Sequence, residues 1–154
     1  MKYAAVMDSP IGSLTLVEEH GALTEVRFGE RTEGLCVQPT ALLDEAVRQL
    51  NEYFCGRRKV FTVPLAPKGT PFQQKCWQAL LQIPYGETRT YAQQAALIGN
   101  PKACRAVGMG NNRNPLPVLI PCHRVIGANG KLTGYAGGLR IKEILLKIER
   151  MNQP

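Results

Sequence analysis

The sequence predicts a mixed α/β (α+β) chain in two parts: an antiparallel β-meander with one helix, then a winged helix-turn-helix unit. Three observations predict it. Short strand-prone runs separated by turn residues fill the first part, helix-start signals cluster after residue 70, and charge divides at the same place. Residues 1–70 hold 8 basic and 9 acidic side chains, whereas residues 71–154 hold 11 basic and 3 acidic, so all of the net +7 lies in the second part. A chain of 154 residues is the size of one domain or two small subdomains, here divided as 1–69 and 70–154.

Tyr3–Met7, Ser13–Glu19 and Ala22–Phe28 alternate as strands between the turns Ser9-Pro10-Ile11-Gly12 and His20-Gly21. Leu42, Leu43, Ala46, Val47, Leu50, Tyr53 and Phe54 recur at helical spacing, with Gly56 just beyond, which predicts a helix over 41–54. Val60–Val63 is expected as a last strand before the proline-containing linker 64–69. Thr70-Pro71-Phe72-Gln73 places a hydroxyl at the N-cap, proline at N1 and glutamine at N3, so a helix starts there and runs to about Gln82. Thr90 caps a helix over 91–98, Gly99-Asn100 turns the chain, and Pro101 opens a second helix to about Gly108. Lys102 and Arg105, three apart, are expected on one face of it. Val118–Ile120 is expected to be extended, Gly127–Gly130 to turn a hairpin wing, and Leu139–Arg150 to close the chain as an amphipathic helix.

Composition excludes several classes. With 44% hydrophobic residues the chain is not a disordered basic tail, and no apolar run approaches the length of a membrane helix. The apolar stretch after Lys2 is too short for a secretory signal, so a cytoplasmic protein is expected. Five cysteines without a CxxC pair do not make a disulfide framework. Cys36, Cys55 and His20 lack zinc-ligand spacing, and the glycine pairs lack a phosphate-loop pattern, so no metal or cofactor is expected. One sign of charge confined to one half points to a polyanion, nucleic acid first, or else to a basic surface serving solubility alone.

Cys122-His123-Arg124 carries the chemistry that the residues themselves suggest. A thiol becomes nucleophilic where cations or an imidazole favour its thiolate, and of the five cysteines only Cys122 has both neighbours. A buried thiol beside a surface histidine is the equal alternative from these three residues. For Cys36, Cys55, Cys76 and Cys104, apolar packing is the favoured reading.

Pro121-Cys122-His123-Arg124-Val125 resembles the active-site signature of the O6-alkylguanine-DNA alkyltransferases. The resemblance extends through Pro84-Tyr85-Gly86-Glu87, Thr90-Tyr91, Gly99-Asn100-Pro101-Lys102-Ala103, Arg105-Ala106-Val107-Gly108, Asn114-Pro115 and Gly134-Tyr135-Ala136-Gly137-Gly138-Leu139. It covers 71–150 and, more loosely, the first part. It implies a ribonuclease-H-like α/β first subdomain, and a winged-helix second one whose recognition helix enters the DNA minor groove.

The resemblance further implies that Cys122 accepts an alkyl group from O6-alkylguanine, or from O4-alkylthymine, flipped out of double-stranded DNA, irreversibly and once per molecule. His123 would take the thiol proton through a water, Glu149 would orient His123, and Asn114 would brace the segment bearing Cys122. Tyr91 would donate a proton to the leaving base and press on its phosphate, while Arg105 would fill the gap in the stack. The backbone carbonyls of Cys122 and Val125 would accept the guanine amino group, and Tyr135 and Ala136 would close the pocket with Lys142 nearby. Ala136 replaces a serine found in some members, which leaves only its backbone amide for O6. Lys102 and Ala103 belong to the same DNA-binding set. A monomer with no obligate protein partner is implied. The rival readings are a damage sensor or winged-helix regulator without chemistry, and a cysteine hydrolase acting on a small acyl substrate.

Overall fold

A computed structural model describes residues 1–153. The chain forms two compact units, Met1–Lys68 and Gly69–Pro154.

In the first unit, β1 (Tyr3–Met7), β2 (Leu14–Glu19) and β3 (Ala22–Phe28) make an antiparallel meander, and β4 (Cys36–Val37) adds to β1 in parallel, giving the order β3-β2-β1-β4. The register of β1 on β2 pairs Tyr3 with Glu18 and Met7 with Leu14. His20 and Gly21 both have positive φ, 54° and 78°, as a two-residue hairpin turn requires. Helix α1 (Ala41–Phe54) begins where Thr40 Oγ1 accepts the Leu43 N–H at 3.1 Å, and it lays Leu43, Ala46, Leu50 and Tyr53 into the core against Leu14, Leu16 and Leu23 of the sheet.

The strand expected at Val60–Val63 does not form. The Gln49 carboxamide captures that segment instead, accepting the Thr62 N–H at 3.0 Å and donating to Thr62 Oγ1 at 2.7 Å. Pairing occurs further on, as an isolated parallel bridge between Leu65 and Leu23, which Pro64 and Pro67 keep from lengthening.

The second unit contains α2 (Pro71–Leu81), β5 (Arg89–Thr90), α3 (Tyr91–Ile98), α4 (Cys104–Asn112), β6 (Val125–Ile126) and α5 (Leu139–Met151), with β5 and β6 paired in parallel. Both capping boxes are present: Thr70 with Gln73, and Thr90 with Gln93. Gly99 ends α3 with φ of 91°.

Helix α4 differs from expectation at both ends. Pro101 and Lys102 lie in a turn closed by Ala103 N–H to Asn100 O at 3.0 Å, so the helix starts at Cys104 and Lys102 is not on it. The helix then continues past Gly108, because burial rewards residues of low helix propensity. Gly110 approaches so closely that a Cβ there would lie 2.9 Å from Cys76 Sγ, and its carbonyl accepts the Trp77 indole N–H at 3.0 Å. The Asn111 and Gln94 carboxamides exchange two hydrogen bonds, 2.8 and 2.9 Å, tying α4 to α3.

Two further expectations are corrected. Val118–Ile120 is a turn, with Val118 at φ of 75°, not an extended piece. No hairpin forms at Gly127–Gly130; the Gly127 N–H closes a loop onto Lys131 O at 2.9 Å, and β6 pairs with β5.

Candidate functional site

Cys122, His123 and Arg124 form a single 3-10 turn, buried throughout, between the turn at Val118 and β6. Asn114 holds the approach to it. Its Nδ2 donates to Ile120 O at 2.8 Å and its Oδ1 accepts the Leu116 N–H at 2.9 Å, so one side chain clips both ends of the segment. The Cys122 N–H donates to Ile120 O at 2.8 Å. Within this clip Val118 keeps its positive φ although its side chain is branched and 1% exposed, a conformation that only a well-determined surround maintains.

Burial pushes the Cys122 thiol up; Asn114, Lys142 and Tyr135 pull it in the other direction without reversing the shift. The simple argument that His123 and Arg124 favour the thiolate as adjoining cations is thereby corrected. Three residues per turn make neighbouring side chains diverge, and both of these turn to Glu149.

Glu149 is the junction of the site. It is 1% exposed, on α5. Its Oε2 lies 2.6 Å from His123 Nε2 and accepts Arg124 Nη2 at 3.1 Å, while its Oε1 accepts Arg124 Nε at 2.8 Å and the Gly86 N–H at 3.1 Å. Arg124 Nη1 donates to Ile83 O at 2.7 Å, and its guanidinium lies 5.7 Å from the centre of the Tyr85 ring. Burial alone would raise the Glu149 carboxyl, but His123 and Arg124 hold it well below the usual carboxylate range. Burial lowers His123, helped by Arg124 and Lys142 and opposed by Glu149. The imidazole is therefore neutral, with its proton on Nε2 facing the carboxylate and the lone pair on Nδ1, a buried atom with no hydrogen-bond partner.

Lys142, also fully buried on α5, is the second junction. Its ammonium donates to Val125 O at 2.6 Å and Thr133 O at 2.8 Å, with Gly134 O at 3.4 Å. Burial lowers its affinity for a proton and Cys122 raises it. Tyr91, the first residue of α3, donates its hydroxyl to the same Thr133 carbonyl at 3.1 Å. Tyr135 is half-buried; burial and then Cys122 raise its phenol well above the ordinary value. Ala136 is exposed next to it.

Arg105 stands exposed on α4, with Met109 one turn on, 64% exposed. Lys102 is exposed in the preceding turn and Ala103 is the N-cap of α4. The structure thus gathers Cys122, His123, Glu149, Asn114, Tyr91, Val125, Tyr135 and Lys142 around one turn, and places Arg105 and Lys102 on an exposed surface.

Sequence reasoning assigned Arg124 to the thiol and missed it as the partner of Glu149. A signal existed. His123 and Arg124 interrupt an apolar run from Val118 to Ile126, which predicts burial and hence a buried counter-charge. Of the three acidic residues after position 70, Glu149 alone falls on the stripe of α5 shared by Lys142 and Leu145, at spacings of three and four residues. Asn111, beyond the expected end of the second helix at about Gly108, proves to be a buried helical residue.

Fold and site define a class, a helix-turn-helix protein that carries a buried thiol beside its own histidine–carboxylate pair. The sequence profile described as "6-O-methylguanine DNA methyltransferase, DNA binding domain" matches residues 71–151, and "6-O-methylguanine DNA methyltransferase, ribonuclease-like domain" matches residues 2–67. The chain belongs to the 6-O-methylguanine DNA methyltransferase family. It is 54% identical over 152 residues to the methylated-DNA--protein-cysteine methyltransferase of Methanosarcina acetivorans, covering 96% of this chain and 97% of that one. The constitutive methylated-DNA--protein-cysteine methyltransferase of Bacillus subtilis is 50% identical over 161 residues, covering 99% and 98%. A crystal structure of the Mycobacterium tuberculosis O6-methylguanine methyltransferase superposes with a TM-score of 0.92 at 47% identity, covering 100% of this chain and 96% of that one. A second Mycobacterium tuberculosis structure, in complex with DNA, also gives 0.92, at 49% identity and coverages of 99% and 95%.

Among the described residues, no helix is long and apolar enough to cross a membrane, and no three His, Cys, Asp or Glu side chains gather to hold a metal ion.

Proposed function

We propose that this protein repairs alkylated DNA directly, moving the alkyl group of an O6-alkylguanine, flipped out of the duplex, onto Cys122. The observation that carries the reading is a buried thiol one residue from a buried imidazole whose Nε2 lies 2.6 Å from the Glu149 carboxylate, with burial pushing the thiol up and the imidazole down. Such a thiol is inert until a base takes its proton, which suits an acceptor that must survive unreacted until DNA arrives.

His123 Nδ1 takes the thiol proton through one bridging water. The sulfur then attacks the alkyl carbon in line, so that an S–C bond forms as the C–O6 bond breaks and the electron pair passes to the guanine ring. Glu149 stabilises the imidazolium produced. Tyr91 supplies a proton to the departing base, for which its hydroxyl leaves the Thr133 carbonyl. The Cys122 and Val125 carbonyls receive the guanine amino group; a carbonyl oxygen has two lone pairs, so Val125 serves both the base and Lys142. The pocket is closed by Tyr135 and Ala136. Arg105, on its exposed helix, takes the place of the flipped base, and Lys102 and the amide of Ala103 meet the phosphates. The net charge of +8 on residues 71–154 suits sequence-independent phosphate binding, with the lesion supplying selectivity.

Intact-mass measurement after mixing with duplex DNA containing O6-methylguanine tests the reading. One methyl increment is expected, absent in Cys122→Ser. An unmodified protein that still binds the lesion would instead be a damage sensor, and repeated ester turnover would indicate a hydrolase.

A further inference from the structure

Glu149 serves two partners, the His123 imidazole and the Arg124 guanidinium. A histidine hydrogen-bonded to a buried carboxylate ordinarily gains a proton, because an imidazolium answers the negative charge beside it. A protonated His123 would be useless as an acceptor for the Cys122 proton. The structure contains the remedy on the same carboxylate. Arg124 engages both oxygens of Glu149 through Nε at 2.8 Å and Nη2 at 3.1 Å, in the side-on fork that a lysine cannot make. It is itself 7% exposed and anchored at its far end by Ile83 O at 2.7 Å, so it is held in place independently of His123.

We propose that Arg124 is a positioning residue that keeps His123 an uncharged base, by neutralising the Glu149 carboxylate that would otherwise hold a proton on the imidazole. Glu149 can then orient His123 through Nε2 without capturing the charge, and it stabilises the imidazolium only when the thiol proton arrives. The charged groups that face His123 are Glu149 and Lys142 from α5 and Arg124 from its own turn, with Cys122 adjoining; Tyr85, after α2, faces Glu149 and Arg124. Lys142 is committed to the carbonyls of Val125 and Thr133, so Arg124 is the cation in hydrogen-bond contact with the carboxylate.

The consequence for alkyl transfer rests on the reading of His123 as the base for Cys122, but the charge of His123 can be measured without it. The imidazole of the full chain is followed by NMR from pH 5 to 9 in the wild type, Arg124→Met and Arg124→Lys. In the wild type His123 is expected to stay neutral below pH 6.5. Its midpoint is expected to rise by about one pH unit or more in Arg124→Met, and by less in Arg124→Lys, which keeps the charge and loses the fork. In single-turnover transfer of methyl from duplex DNA, the loss in Arg124→Met is expected to be about threefold or more greater at pH 6 than at pH 8.5. If Arg124→Met does not fold, Arg124→Lys decides by the same midpoint. A His123 midpoint that moves by less than about 0.3 unit in every folded variant overturns the proposal. A midpoint that rises while the pH profile of transfer stays put, together with undiminished transfer by His123→Gln, leaves the inference standing and overturns the reading of His123 as the base.

Discussion

The two units use arginine–glutamate pairs in opposite ways. On α1, Arg48 reaches Glu45 and Glu52 along an open helix face, at spacings of three and four residues, with its side chain 54% exposed. In the second unit, Arg124 and His123 share Glu149 across 25 and 26 residues of chain, with the carboxylate buried. The first arrangement follows from helix periodicity, and water competes for each partner. In the second, every group removed from water must find its partner within the fold, and removing one member strands the others. Ion pairs that look alike by distance therefore differ in what they govern: the first decorates a surface, and the second holds the acceptor turn to α5.

The comparison breaks most readily at its buried member. Glu149→Gln is expected to cost about 3–5 kcal/mol in urea denaturation, because it leaves Arg124 buried beside a neutral amide. Transfer should fall by roughly 10²-fold or more, with His123 losing its orienting carboxylate. A cost no larger than that of a surface substitution would abolish the distinction between the two regions.

Acidification sharpens it. His123 titrates below its ordinary value in the fold, so the unfolded chain binds a proton from about pH 6.5 downward while the folded chain does not. The stability this group confers is complete above pH 6.5 and declines as pH falls, by up to about 1.4 kcal/mol per unit. Glu149, depressed in the fold, adds a further loss once the pH drops below its ordinary carboxylate range. Denaturant titrations between pH 7 and 5 are expected to show that slope, flattened in His123→Gln.

The smallest effect is expected on α1. Arg48→Gln should leave both the urea midpoint and the transfer rate within experimental error, since Glu45 keeps its bond from Gln49, Glu52 keeps Arg58, and water reaches both carboxylates. A clear shift in the midpoint would show that the surface network carries stability that its exposure argues against.

The elements whose signals are local were legible: the Thr70 capping box, the Thr90 cap, the Gly99 turn, the apolar stripe of α1 and the two-residue turn at His20-Gly21. Errors arose where a distant partner outweighed local preference. Gln49 took the Thr62 segment away from the sheet, and the pairing of Asn111 with Gln94 drew α4 past its expected end at about Gly108. The proline before the helix served a turn, so Lys102 parted from Arg105.

The sequence by itself determined the capped starts of α2 and α3, the concentration of positive charge after residue 70 and the adjacency of Cys122 and His123, because spacing, caps and charge are properties of neighbouring residues. Only the tertiary structure decided the charge states within that turn. Whether a thiol stays protonated or an imidazole stays neutral depends on desolvation and on a carboxylate 25 residues or more away, and those are settled when α5 closes over the turn.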